Sequence, residues 1–166
     1  MVRQPCLEDS LMILCGHGYR HMWSCLKWIS DVAAFIHAFG SRLRWERLID
    51  QARLSGGLRI LGLGLWLAQE VGGAPVPRSA AQILRDRQIP ALGHEVIAHL
   101  FADSKPIDPH GSSGWFARIA FHLRARERIR EKLPLATPLL GHAAYYARRH
   151  ARHYARRLLS LRLCRN

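Results

Sequence analysis

Several things are missing from this 166-residue chain, and each absence narrows what it can be. Its four cysteines, at positions 6, 15, 25 and 164, form no C-x-x-C pair. That spacing fits neither a zinc module nor a disulfide framework. No apolar run at the start resembles a signal peptide. The longest apolar stretch, Ile60 to Ala68, falls far short of the ~20 residues needed to span a bilayer. These features predict a reduced, soluble, cytoplasmic protein without a transmembrane segment. No stretch alternates convincingly with period two, so strands are not expected.

Acidic side chains are also few. There are 12 Asp plus Glu against 25 Lys plus Arg, and the imbalance is local. Residues 1–117 carry 12 basic and 10 acidic side chains, whereas residues 118–166 carry 13 basic and 2 acidic. The high isoelectric point therefore belongs to the last third. Such a segment suits phosphate-rich partners or an anionic surface, or is simply a solvated helix face.

The residues that are present describe helices. Acidic Glu8 and Asp9 favour a helix start near Leu7 or Glu8, ending near His21. Ser24 is placed to cap a second helix running to Phe39, with Gly40 as its stop. Two apolar stripes on that helix predict cover on most sides and leave a polar strip, Ser24-Lys27-Asp31. Ser41 is expected to cap a third helix through Trp45, Leu48, Ile49 and Ala52, closed by Gly56-Gly57. Leu58 to Val71 reads as a central apolar helix, ended by Gly72-Gly73 and the breaker Ala74-Pro75-Val76-Pro77. Short helices follow over 79–87 and 90–102, then a loop over 103–114. A long helix over 115–132 and a basic helix over 141–163 complete the chain. The fold class is all-α: a single-domain bundle of roughly six to eight helices with a basic C-terminal helix. The division expected is 1–132 for the helical domain and 133–166 for the basic extension.

Residues 15–31 concentrate the unusual chemistry. His17 and His21 are i, i+4 and share a helix face. Without the Glu of an H-E-x-x-H motif, and with Cys15 and Cys25 poorly placed, no metal site is assigned. Lys27 and Asp31 are i, i+4 as well. Trp23, Leu26, Trp28 and Ile29 around them predict partial burial, as a structural pair or a ligand-facing one. His94-Glu95-Val96-Ile97-Ala98-His99 narrowly misses the zinc-protease pattern, because Ala98 stands where the second histidine belongs. In the basic helix, Arg148, Arg149, Arg152, Arg156 and Arg157 interleave with Tyr145, Tyr146 and Tyr154. That arrangement is compatible with nucleic-acid contact.

The run Glu8-Asp9-Ser10-Leu11-Met12-Ile13-Leu14-Cys15, then His17-Gly18, His21, Trp23, Leu26-Lys27-Trp28 and Asp31, resembles the helical signature of an uncharacterised bacterial nucleotidyltransferase family. The resemblance is strongest over 7–77. In that family an α/β catalytic core with metal-binding carboxylates precedes the signature. Here no Asp-x-Asp occurs and no strand is expected before Glu8. The resemblance therefore implies the helical C-terminal portion of a nucleotidyltransferase-like protein, inactive alone: a truncated frame, half of a split protein, or a relic. By the same resemblance, Lys27, His17, His21 and Trp28 would contact a nucleotide or acceptor. Lys27 would neutralise phosphate charge, and Asp31 would accept a proton from an acceptor hydroxyl. The chain alone implies no cofactor; Mg²⁺ and an NTP would enter with a separately encoded catalytic core. The alternative is a basic helical module for nucleic acid or an anionic surface.

Overall fold

The computed structural model describes residues 5–101 and 112–126, with side chains described from residue 117 in the second stretch. Among the described residues there are seven α-helices, two 3-10 turns and no strand, as the absence of period-two patterning requires. The helices are α1 (Leu7–Arg20), α2 (Leu26–Phe39), α3 (Trp45–Leu54), α4 (Leu58–Gly72), α5 (Arg78–Ala81), α6 (Gln88–Leu100) and α7 (Ser112–Ala125). None is long and apolar enough to cross a membrane among the described residues.

The core is built on α4. Residues Ile60 to Ala68 are all buried, so this helix is apolar all round because it is enclosed all round. It packs against α1, α2, α3 and α6. Gly62 and Gly64 let neighbours come close. A side chain at Gly64 would lie 2.5 Å from Cys15 Sγ, and one at Gly62 would strike Ile83 and Ile89. Gly73, in the left-handed region at φ 61°, ends the helix where the Gly72-Gly73 pair predicts.

Three local expectations need correction. Ser24 does not cap α2: Cys25 holds that position, and no side chain caps it. Ser24 is instead tied into the preceding turn, its amide donating to the His21 carbonyl. Ser41 lies inside a 3-10 turn, Gly40–Arg42, and Arg44 precedes α3. Nor is α2 covered on most sides. Ile29, Val32, Ala33 and Ile36 are buried, while Trp28, Phe35 and Phe39 are half-exposed and Leu26 is exposed. Among the described residues, α4 and α1 are the helices that pack most against α2.

Beyond the breaker, the helix expected over 79–87 divides into α5 and a 3-10 turn, Ile83–Arg85. The seventh helix begins three residues before the expected Trp115. Residues 102–111, most of the expected loop, lie outside the described residues. The helix expected to reach Lys132 stops at Ala125, with Arg126 outside it. Residues 127–132 and the whole basic helix over 141–163 lie outside the described residues.

Arg59 ties the later helices to α4. Its Nε donates to Asp86 Oδ2 at 2.8 Å, and its Nη1 donates to the Arg124 carbonyl at 2.7 Å, at the end of α7. A cation at a helix C-terminus satisfies carbonyls that the helix itself leaves free. Asp86 completes the link by accepting the Gln88 amide at the start of α6.

Candidate surface site on the first two helices

The turn between α1 and α2 is made by a tryptophan. At the end of α1, the Trp23 amide donates to the Gly18 carbonyl at 2.8 Å and the Met22 amide to the Tyr19 carbonyl at 3.0 Å. This is the Schellman arrangement, which turns the chain back over the last helical turn. Glycine usually supplies the left-handed residue there. Here Met22 and Trp23 both take φ 53°, at a cost of about 1–2 kcal/mol each. Burial of the Trp23 ring, which is fully enclosed, offsets that cost. The ring fills a notch left by Gly18, where an added Cβ would sit 2.5 Å from it, and reaches Gly64 of α4. Trp23 Nε1 is buried with no hydrogen-bond partner among the described residues.

This turn sets His21 and Trp28 beside each other. The ring centroids of His21 and Trp28 are 5.0 Å apart with a 30° tilt. His17, one helical turn back, lies 4.8 Å from His21 and meets Trp28 edge-on at 5.5 Å. Both histidines are exposed and Trp28 is half-exposed. The structure thus brings together three of the four nucleotide- or acceptor-binding candidates in one aromatic cluster at the surface. The fourth, Lys27, pairs with Asp31 at 3.7 Å.

That pair is more open than expected. The Lys27 side chain is 76% exposed and Asp31 42%. The apolar neighbours that suggested burial point elsewhere: Trp23 and Ile29 go into the core and Leu26 into solvent. An exposed i, i+4 pair contributes at most a few tenths of a kcal/mol, so Lys27 is available to another anion. Among the described residues no hydrogen bond or ion pair joins Asp31 to His17 or His21.

The carboxylates that lead the segment are structural. Glu8 is only 3% exposed and accepts the Arg44 backbone amide at 3.1 Å, with Arg44 Nε at 3.5 Å. Its own amide, then that of Arg44, hold its carboxyl at about 2, against the desolvation that raises it. Asp9 accepts a hydrogen bond from Gln51 of α3. Cys15 is sealed against α4, and burial pushes its thiol up to about 12, so it is no nucleophile. Among the described residues no group of three or more His, Cys, Asp or Glu could hold a metal ion. The donor set for Mg²⁺ does not fit here, and no step is derived through that ion.

A second cluster gave no signal in the sequence. Tyr19 packs edge-on to His122 at 4.7 Å and stacks near Phe121 of α7, while Arg126 Nε donates to its hydroxyl at 3.2 Å. Burial, then Arg118 and Arg126, push His122 down to about 4, so it is neutral near pH 7. His94 rests edge-on against Trp66 at 5.1 Å. Arg148, Arg149, Arg152, Arg156 and Arg157 lie outside the described residues.

Residues 1–73 match the model of a family described as uncharacterised nucleotidyltransferase. The match takes in α1 to α4 and ends at the left-handed glycine that closes α4. It covers less than half of the chain. No curated protein and no solved structure matches.

Proposed function

We propose that α1 and α2 form one wall of a nucleotide or acceptor site in a nucleotidyltransferase-like protein. The metal-binding carboxylates would come from a separate catalytic half. The observation that carries this reading is the surface cluster of His17, His21 and Trp28, with the exposed Lys27 preceding Trp28 on the same helix. An aromatic face next to an unburied cation can take both parts of a nucleotide: base on ring, phosphate on ammonium. A phosphate would compete with Asp31 for Lys27, leaving the Asp31 carboxylate free to accept a proton from a hydroxyl. The family match over 1–73 supports the general kind of activity. In this reading the chain is inactive by itself and works in the cytoplasm.

Calorimetric titration of ATP–Mg²⁺ into the whole chain and into Lys27→Ala tests it. The expected result is weak, saturable binding that Lys27→Ala reduces several-fold. Equal binding by both chains would rule it out. So would no binding even with a candidate catalytic half present.

The charge distribution favours a second reading. With 13 basic and 2 acidic residues over 118–166, the chain would bind nucleic acid or another polyanion through that segment. The retention of the whole chain on a polyanion column should then fall steeply with salt, and deletion of 142–166 should abolish it. A deletion variant eluting at the same salt would exclude this reading.

A further inference from the structure

The described histidines are used in different ways. His37 reaches the Gly72 carbonyl at 3.5 Å, His94 rests on Trp66, and His122 packs against Tyr19. His17 and His21 are the pair that meet ring to ring among the described residues. Both are exposed, and among the described residues neither ring has a hydrogen-bond or ion-pair partner. Their nitrogens are uncommitted donors or ligands.

The separation of the two rings is that of a chelate. A metal–nitrogen bond of about 2.0–2.1 Å puts an ion about 3.2 Å from the centre of each imidazole it binds. Two imidazoles sharing that ion at square or tetrahedral angles then hold their ring centres about 4.5–5.2 Å apart. The His17 and His21 ring centres are 4.8 Å apart. The scaffold beneath them is fixed. The His21 amide donates to the His17 carbonyl at 3.3 Å, and the buried Trp23 ring anchors the turn that follows. Both rings also meet Trp28 of α2, His17 edge-on and His21 at a 30° tilt. Side chains held in this way lose little freedom when they bind an ion, which favours affinity.

We propose that His17 and His21 form a two-histidine site for a divalent transition-metal ion of the zinc, copper and nickel class. Imidazole nitrogen suits these ions, whereas Mg²⁺ takes oxygen ligands. Two protein ligands leave the remaining positions to water or to an oxygen of a bound anion. That is the open arrangement of a Lewis-acid site, not the closed cage of a structural one. With no cluster of three ligands among the described residues, the affinity is modest and is highest for Cu²⁺. The ion clamps the last turn of α1 to its C-cap residue, so binding stabilises the fold. The site shares its rings with the proposed nucleotide wall but does not rest on that reading, because the ion binds without nucleotide.

Calorimetric titration of Zn²⁺, Ni²⁺, Cu²⁺ and Mg²⁺ into the metal-free whole chain, with no nucleotide present, tests it. Circular dichroism checks that each variant is folded. The expected result is one ion per chain, tightest for Cu²⁺, no binding of Mg²⁺, and a higher thermal midpoint in Zn²⁺. His17→Gln and His21→Gln should each weaken binding by about tenfold or more, and the double variant little further, because a chelate is lost when either arm goes. Cys25→Ser, which removes the exposed thiol beyond the turn, should bind as the natural chain does. Binding that survives both histidine variants, carried by His142, His150, His153 or any other group, overturns the proposal. A loss in Cys25→Ser as large as in His21→Gln overturns it too. So does one ion shared between two chains, or equal binding of Mg²⁺.

Discussion

Gly16 and Gly18 stand two residues apart on one helix and face opposite worlds. Gly18 is a socket, filled by the Trp23 ring so closely that one added carbon would collide with it. Gly16 has open space around it among the described residues. The same division runs through the segment that matches the nucleotidyltransferase family model. Glu8, Cys15, Gly18 and Trp23 hold α1 to its neighbours, and Ile29 does the same for α2. His17, His21, Lys27, Trp28 and Asp31 stand toward solvent or half toward it. A motif read as one unit in sequence is therefore two sets of residues with two jobs. One set builds the turn and the core; the other is left free to meet a ligand.

The largest break in that contrast should come from Trp23→Ala. It empties the socket and removes the burial that offsets two left-handed residues. A loss of about 3–5 kcal/mol in urea denaturation is expected; a loss under 1 kcal/mol would mean the turn is not held by the ring. Next comes Glu8→Gln, which weakens a buried charged acceptor and should cost about 1.5–3 kcal/mol at neutral pH. The pH dependence has a definite sign. The folded-state carboxyl sits at about 2, below its usual 4.5, so its contribution is full above 4.5 and fades as pH falls toward 2. Stability measured between pH 5 and 2 should therefore fall less steeply in Glu8→Gln than in the natural chain. Parallel curves would contradict the assignment.

Gly56→Ala sharpens the comparison between helix ends. The end of α3 uses the same pair of return hydrogen bonds as the end of α1, but with Gly56 at φ 69° in the left-handed position. An alanine there should cost about 1–2 kcal/mol by thermal denaturation, since no buried ring compensates as Trp23 does. The smallest effect belongs to Lys27→Ala. Its loss should change stability by less than about 0.5 kcal/mol, which makes it a clean probe of ligand binding. A larger loss would make Lys27 structural.

Much of this was legible in the sequence, and the failures have physical causes. The helix boundaries of α1, α3 and α4 follow from acidic first turns, apolar spacing and terminal glycines, all of which act locally. Ser24 and Ser41 failed as caps because that reading took the residue type alone. The backbone around Ser24 is committed to a turn that starts at Gly18, and Ser41 falls in a 3-10 turn. The His17–His21 pairing was readable from spacing, whereas its closure onto Trp28 depends on the angle between two helices. Glu8 looked like an ordinary dipole-favouring residue. Its burial needs Arg44, 36 residues away, and no local pattern announces that. Tyr19 against α7 is more distant still, joining residues 103 apart.

The two glycines provide the most direct test. Gly16→Ala and Gly18→Ala make the same chemical change two positions apart, so their helix-propensity gain is about the same, near 1 kcal/mol. Denaturation midpoints should be measured at a concentration where the chain is monomeric. The midpoint should rise for Gly16→Ala and fall for Gly18→Ala, where overpacking against Trp23 outweighs the gain. Shifts of the same sign would contradict the division of this helix into a filled face and an open one.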